Sequence, residues 1–242
     1  MLRRRLRLRE LILPEMKMSS AVFSRDTVAF LRELGRNNHK AWMDDNRDRY
    51  RAAIVEPFRV LLDRLTLAAL KLDRAFVVSG RTGENFSRIN RDVRFSKDKA
   101  PYRPQMYLFF AEPGGEGGQI YAAISADAVT CGFRVYGRAK TAPLVQFGRA
   151  RGKENTRWIE RQKSRLGRKY ESYWYSSEKG EWSKHRGWPV KPDDWTKLQG
   201  WIVRKKLTHA AAMRAGFERE IAKIFRDVYP LLPFTSSANW KA

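Results

Sequence analysis

Three apolar runs dictate the centre of any fold this chain can adopt: Gln105 to Ala111 (QMYLFFA), Gln119 to Ile124 (QIYAAI) and Val129 to Tyr136 (VTCGFRVY). Each has strand length and is rich in aromatic or aliphatic side chains, and the stretches between them carry glycines or Asp127. Runs of this kind at hairpin spacing pair with their sequence neighbours, so an antiparallel meander is expected. Such a sheet has an apolar face to cover, and the flanking sequence supplies helices to cover it.

Before the meander, Ser24 and Asp26 precede Val28, Phe30, Leu31 and Leu34, with Gly35 behind, which is the pattern of a capped amphipathic helix. A second helical stretch holds Trp42, Met43 and Tyr50; a third starts near Pro57 and carries Phe58, Leu61, Leu62, Leu65 and Leu70. The period then changes. Ala75 to Ser79 reads as a short strand, Gly80 to Glu84 as a turn, and Phe86 to Phe95 as a strand with Arg88, Asn90, Asp92 and Arg94 on one face. After the meander, Ala139 to Arg149 and Asn155 to Leu166 read as helices, Tyr170 to Pro192 as a loop and Trp201 to Leu207 as a last strand. Thr208 to Val228 reads as one closing amphipathic helix ended by Pro230. No repeat or low-complexity linker interrupts residues 21 to 240. The expected fold class is therefore α+β, a single domain in which an antiparallel β-sheet meander packs against amino-terminal and carboxy-terminal helices.

Lys and Arg number 49 against 26 Asp and Glu, a net charge of +23. That excess favours polyanionic partners through long-range attraction and counterion release, and nucleic acid or another phosphate-bearing ligand is the expected partner. Residues 1 to 20 begin MLRRRLRLRE and are expected to be a basic tail, disordered or an overcalled start, because Met16 and Met18 sit just ahead of the first helix. Its apolar run, Leu11 to Leu13, is too short for a secretory signal. No run reaches the about 18 apolar residues of a membrane span. Cys131 is the single cysteine, which excludes an internal disulfide and a Cys-based zinc site and points to a reducing, cytoplasmic setting. Cys131 shares its parity with Val129, Phe133 and Val135, as a core residue does, and His39, His185 and His209 are scattered without metal-ligand spacing. The sequence assigns no metal site, and cofactor and oligomeric state stay open.

The densest polar stretch is Arg88 to Arg103, RINRDVRFSKDKAPYR, with four Arg, two Lys and two Asp. A carboxylate between guanidiniums fixes their planes, and fixed guanidiniums receive phosphate or carboxylate in bidentate fashion. Arg88, Arg91, Arg94, Ser96, Lys97, Lys99, Tyr102 and Arg103 are the candidate anion-binding residues. Asp92, Asp98 and Lys99 are the candidates for catalysis, as acid, base or metal ligands and an electrostatic stabiliser. The same residues also fit a strand whose outer face carries solvated ion pairs, which are worth little.

In this stretch Arg91, Asp92, Arg94, Phe95, Ser96, Asp98, Lys99, Pro101 and Tyr102 match a signature, with Arg103 in place of its usual final Lys. Phe23, Phe30, Leu31, Leu34, Asn37, Asn38, Trp42, Asn46 and Tyr50 match its opening. On these residues the chain resembles the family of domain of unknown function 2461, over roughly residues 22 to 138 and more loosely at the last helix. The resemblance implies an α+β domain whose shared polar motif lies in the sheet and the turn after it; it carries over no activity.

Between Trp158 and Trp201 lie six of the eight Trp, at 158, 174, 182, 188, 195 and 201, in a region rich in Lys and Arg. Rings that stack bases beside cations that hold phosphates are the equipment of single-strand binding. Burial of the rings under Lys and Arg stems is the competing explanation. Glu112 to Gly118, EPGGEGG, lacks the Gly-Lys-Ser/Thr end of a phosphate-binding loop and reads as a hairpin turn. Two functions follow. One is a basic domain that binds a phosphate-bearing partner such as nucleic acid through the Arg/Asp/Lys motif. The alternative is an enzyme acting on a small phosphorylated or carboxylated substrate, with Asp92 or Asp98 as acid, base or metal ligand.

Overall fold

The computed structural model describes residues 20–113, 118–137, 156–178 and 181–236. The basic amino-terminal tail, the expected helix from Ala139 to Arg149 and most of the glycine-rich EPGGEGG loop lie outside the described residues.

Helix α1 (Arg25–Arg36) starts where the sequence places it. The Ser24 hydroxyl accepts from the Thr27 amide and the Thr27 hydroxyl accepts from the Ser24 amide, so two donors of the first turn are satisfied. Its stripe of Val28, Phe30, Leu31 and Leu34 is buried. Two short helices follow, α2 (Lys40–Asp45) and α3 (Arg47–Tyr50), then a single π turn over Arg51–Val55, then α4 (Glu56–Leu72). The π turn has a local cause. Pro57 has no amide hydrogen to give the carbonyl four residues back, while the Glu56 amide reaches the Arg51 carbonyl, so the helix widens by one residue.

Arg49 ties α3 to α1, donating to Asp26 at 2.6 Å and to Glu33 at 2.6 Å. The Arg49 hydrogen bond holds the Glu33 carboxyl below its ordinary pKa. A carboxyl depressed in the folded state contributes its stability above the ordinary glutamate value of about 4.3 and loses it as pH falls through the lowered pKa. Arg49→Met is therefore expected to lower the urea midpoint at pH 7 and to have a smaller effect near pH 3. Since both carboxylates are solvent-accessible, the loss should stay near 1 kcal/mol or below; an equal loss at both pH values would remove the ion pair as its cause.

The sheet begins as the expected meander, β1 (Gln105–Phe110), β2 (Gln119–Ser125) and β3 (Val129–Tyr136), each antiparallel to the next. Helix α5 (156–166) leads into a hairpin, β4 (Glu171–Glu178) and β5 (Glu181–Arg186). This hairpin replaces the loop expected from Tyr170 to Pro192. After α6 (Pro192–Lys197), strand β6 (Leu198–Leu207) inserts between β3 and β4, giving the order β1-β2-β3-β6-β4-β5 with all pairs antiparallel. The closing helix is divided into α7 (His209–Ala212), capped by Thr208, and α8 (Phe217–Val228), with Gly216 at φ 79° in the break; α9 (Leu231–Ser236) follows. A left-handed residue cannot continue a helix, which is why one amphipathic period became two helices.

One sheet face, with Met106, Leu108, Phe110, Ile120, Ile124, Cys131, Phe133 and Val203, is buried against α1, α4, α8 and α9 in a single core. Burial pushes the Cys131 thiol well above its ordinary pKa, consistent with a core residue and not a nucleophile. No described helix is long and apolar enough to cross a membrane.

Candidate anion site: an arginine cleft beside a self-paired loop

Residues 86 to 95 do not form the expected strand. Only isolated bridges join Phe86 to Leu108 and Asn90 to Tyr102, with the Arg91 amide donating to the Pro101 carbonyl and the Arg103 amide to the Ile89 carbonyl. The cause lies opposite: Pro101 accepts from the Arg91 amide but has no amide hydrogen to return to the Arg91 carbonyl, so the ladder stops there. The segment is held in place by two asparagines. The Asn38 side chain both donates to the Tyr102 carbonyl and accepts from its amide, each at 2.9 Å. Fully buried Asn85 donates to the Val77 and Phe109 carbonyls and accepts from the Gly80 amide, which fastens residues 77–85 to β1.

Within the motif the charges pair with one another. Asp92 accepts from the side chain and amide of Arg94, and these bonds hold its carboxyl below the ordinary value. Asp98 accepts from the Ala100 amide and from Arg91, which lowers it in the same way. Ser96 receives a second bond from Arg91, and Lys99 donates to the Val93 and Arg94 carbonyls. Asp92 and Asp98 thus shape turns by binding amides two residues on. Phe95 stands 95% exposed at the tip, with the Arg94 guanidinium 5.9 Å from its ring centre. Lys97 and the side chain of Arg103 are exposed and make no hydrogen bond or ion pair with described residues.

Arg88 points elsewhere. It lines a cleft of about 480 Å³ together with Arg47, Arg59, Tyr50, Ser87 and Asn90, over a floor that includes Met43, Phe58 and Met106. Tyr102 lines it too, but Asp92, Asp98, Arg91, Arg94, Ser96, Lys97, Lys99 and Arg103 do not. The structure therefore separates the residues that the sequence grouped. No carboxylate among the described residues lines the cleft. Arg47 pairs with Asp44 at 2.5 Å and Arg59 with Glu56 at 2.7 Å, both solvent-exposed contacts that are weak and easily exchanged. Arg88 has no hydrogen bond or ion pair among the described residues. Burial raises the Tyr50 phenol above its ordinary value, leaving a neutral hydrogen-bond donor in the cleft.

The chain matches a family of conserved hypothetical proteins, domain of unknown function 2461 (DUF2461), over residues 26–234. The chain belongs to this family. A comparison with curated proteins finds no match. The DUF2461 motif from Arg91 to Tyr102 forms the self-paired loop just described, and its opening asparagine Asn38 clamps that loop to the helices.

Arg47 and Arg59 were not among the sequence candidates, for a definable reason. They lie twelve residues apart, about a third of a turn out of phase on a regular helix of 3.6 residues per turn. The π turn between them absorbs one residue and brings their separation close to three whole turns, so both face the cleft. Pro57, two residues before Arg59, was the only sequence signal.

Proposed function

We propose that the protein binds a phosphate-bearing partner, seating a phosphate group among Arg47, Arg59 and Arg88. One observation carries this reading: three guanidiniums from three segments of the chain line one cleft, and no carboxylate among the described residues lines it with them. Guanidinium forks match the geometry of phosphate oxygens, and the apolar floor lowers the competition from water. Ser87, Asn90 and Tyr50 add neutral polar groups for the remaining oxygens. The net charge of +23 makes nucleic acid the favoured macromolecular source of that phosphate. The enzyme alternative gains nothing from Asp92 and Asp98, which serve turns outside the cleft.

Calorimetric titration with orthophosphate and with a nucleoside monophosphate tests the cleft. A charge-assisted hydrogen bond is worth about 1.5–3 kcal/mol, so Arg88→Ala should weaken either ligand roughly 10-fold or more. Arg88→Lys should recover part of the loss, since it keeps the charge without the fork. Asp92→Ala, outside the cleft, should bind as the parent does. Equal affinity in the parent and Arg88→Ala would end the proposal.

A further inference from the structure

The sheet has a second face. Side chains alternate along a strand, so register assigns to the side away from the helical core Tyr107 and Phe109 on β1, Tyr121 on β2, and Arg134 and Tyr136 on β3. Arg204 and Lys206 on β6, Glu171, Tyr173 and Tyr175 on β4, and Trp182, Lys184 and Arg186 on β5 complete it. None of these belongs to the core formed with the described helices; Phe109, Tyr121 and Ala123 form a separate small cluster with Tyr107. The composition is unusual for an outer sheet face. It combines seven aromatic rings with five cations, and Glu171 is its one carboxylate.

The two ends of this face differ. Toward β1 and β2, Arg134 lies over Tyr107, Tyr121 and Phe109 at 4.5, 5.1 and 5.6 Å and donates to Gln119, so its charge is already engaged. Toward β5, three rings stand together: Tyr136, Tyr175 and Trp182, with centres 6.2, 5.9 and 6.4 Å apart. Tyr136 and Trp182 are each 46% exposed. Gly200 makes this arrangement possible, because a Cβ there would meet the Tyr136 ring at 2.7 Å. Beside the rings lies a hollow of about 480 Å³ lined by Glu171, Ser172, Tyr173, Lys184, Arg186 and Arg204, in which Arg204 pairs with Glu171 at 3.1 Å, a partly exposed contact that a phosphate can exchange. Lys184 and Arg204 sit over the Tyr173 ring at 4.1 and 5.1 Å. Arg186 makes no hydrogen bond or ion pair with described residues.

We infer that this end of the face binds single-stranded nucleic acid, with bases stacking on Tyr136, Tyr175 and Trp182 and phosphates held by Lys184, Arg186 and Arg204. The exposed rings of Tyr136 and Trp182 beside the exposed cations Lys184 and Arg186 suit a strand whose bases are unpaired; in a duplex the base faces are already stacked on one another and only the phosphates remain. The inference rests on the reading of the chain as a phosphate-binding protein and names the polymer it takes. The surface itself lies on the opposite side of the sheet from the core helices and shares no residue with the arginine cleft.

The test is fluorescence anisotropy of a labelled oligothymidylate and of a duplex of equal length, with the full chain. Oligothymidylate should bind more tightly, with log affinity falling against log salt at a slope of about −2 for three phosphate contacts. Loss of a stacked base contact is worth about 1–3 kcal/mol, so Trp182→Ala and Tyr136→Ala should each weaken it roughly 5- to 150-fold. Arg186→Glu, an exposed change on an edge strand, guards against misfolding of the ring variants and should weaken binding while keeping the parent's circular dichroism. Undetectable binding at low salt, or folded ring and charge variants with the parent's affinity, would overturn the inference. The cleft is judged separately: orthophosphate affinity should follow Arg88→Ala and ignore Trp182→Ala.

Discussion

Asn85→Asp is expected to cost at least about 3 kcal/mol of folding free energy, although it exchanges one nitrogen for one oxygen. The Asn85 amide group donates to the Val77 and Phe109 carbonyls at 2.7 and 3.1 Å, and its oxygen accepts from Gly80 at 2.9 Å, all in a fully buried site. A carboxylate there would face two carbonyl oxygens with no donor to give them. Each unsatisfied buried group costs about 1–3 kcal/mol, and an uncompensated buried charge about 3–5. The pH dependence identifies the cause. Burial would raise the new carboxyl's folded pKa above the ordinary aspartate value of about 3.9, so the penalty is small below that value and grows as pH rises through it. Urea titrations at pH 4 and pH 8 should show the larger loss at pH 8. A loss under about 1 kcal/mol at pH 8 would mean that residues 77–85 are not fastened to β1 through this side chain.

Much of the architecture was legible because the local signals agreed with the packing. Ser24 caps α1, the stripe from Val28 to Leu34 is buried, and the three central runs form β1 to β3. The failures share a physical source, which is that the deciding partner lies elsewhere in the chain. Phe86 to Phe95 alternates like a strand, but a strand needs donors opposite it, and Pro101 removes the one that would face Arg91. Tyr170 to Pro192 concealed a hairpin because both faces are aromatic: Trp174 goes to the core while Tyr173 and Tyr175 go outward, so no polar alternation marks the period.

The candidate site was legible in part. Arg88 was visible as one of a cationic series, and the structure leaves it in a cleft without a partner among the described residues. Three others of that series answer a local demand: Arg91, Arg94 and Lys99 compensate carboxylates and carbonyls in their own loop, while Lys97 and Arg103 lie exposed outside the cleft. The spacing of charges alone does not separate a cation that shapes a turn from one that awaits a ligand. What separates them is whether the partners are already supplied.

The tryptophans pose the same question, and Trp201→Ala is the prediction that answers it. Of the six Trp between 158 and 201, Trp158, Trp174, Trp195 and Trp201 are buried, Trp188 packs against the core, and Trp182 is exposed. Trp201 is fully buried on β6 at the middle of the sheet, with ring centres of Phe133, Trp188, Trp195 and Phe234 at 5.4 to 6.5 Å. Its indole nitrogen donates to the Ser172 hydroxyl at 3.1 Å across to β4. These contacts join β3, β4, β6, α6 and α9 around one side chain. Truncation of such a residue costs the transfer free energy of the ring plus the cavity it leaves, about 3–5 kcal/mol for a buried aromatic, and here it also strands a serine hydroxyl. Trp201→Ala should therefore shift the urea midpoint strongly, and Trp201→Phe should recover much of the loss while still leaving Ser172 without its donor. Trp182→Ala, by contrast, should leave the midpoint nearly in place and act on oligonucleotide affinity. If Trp201→Ala unfolds within about 1 kcal/mol of the parent, the aromatic cluster is not the keystone of the sheet.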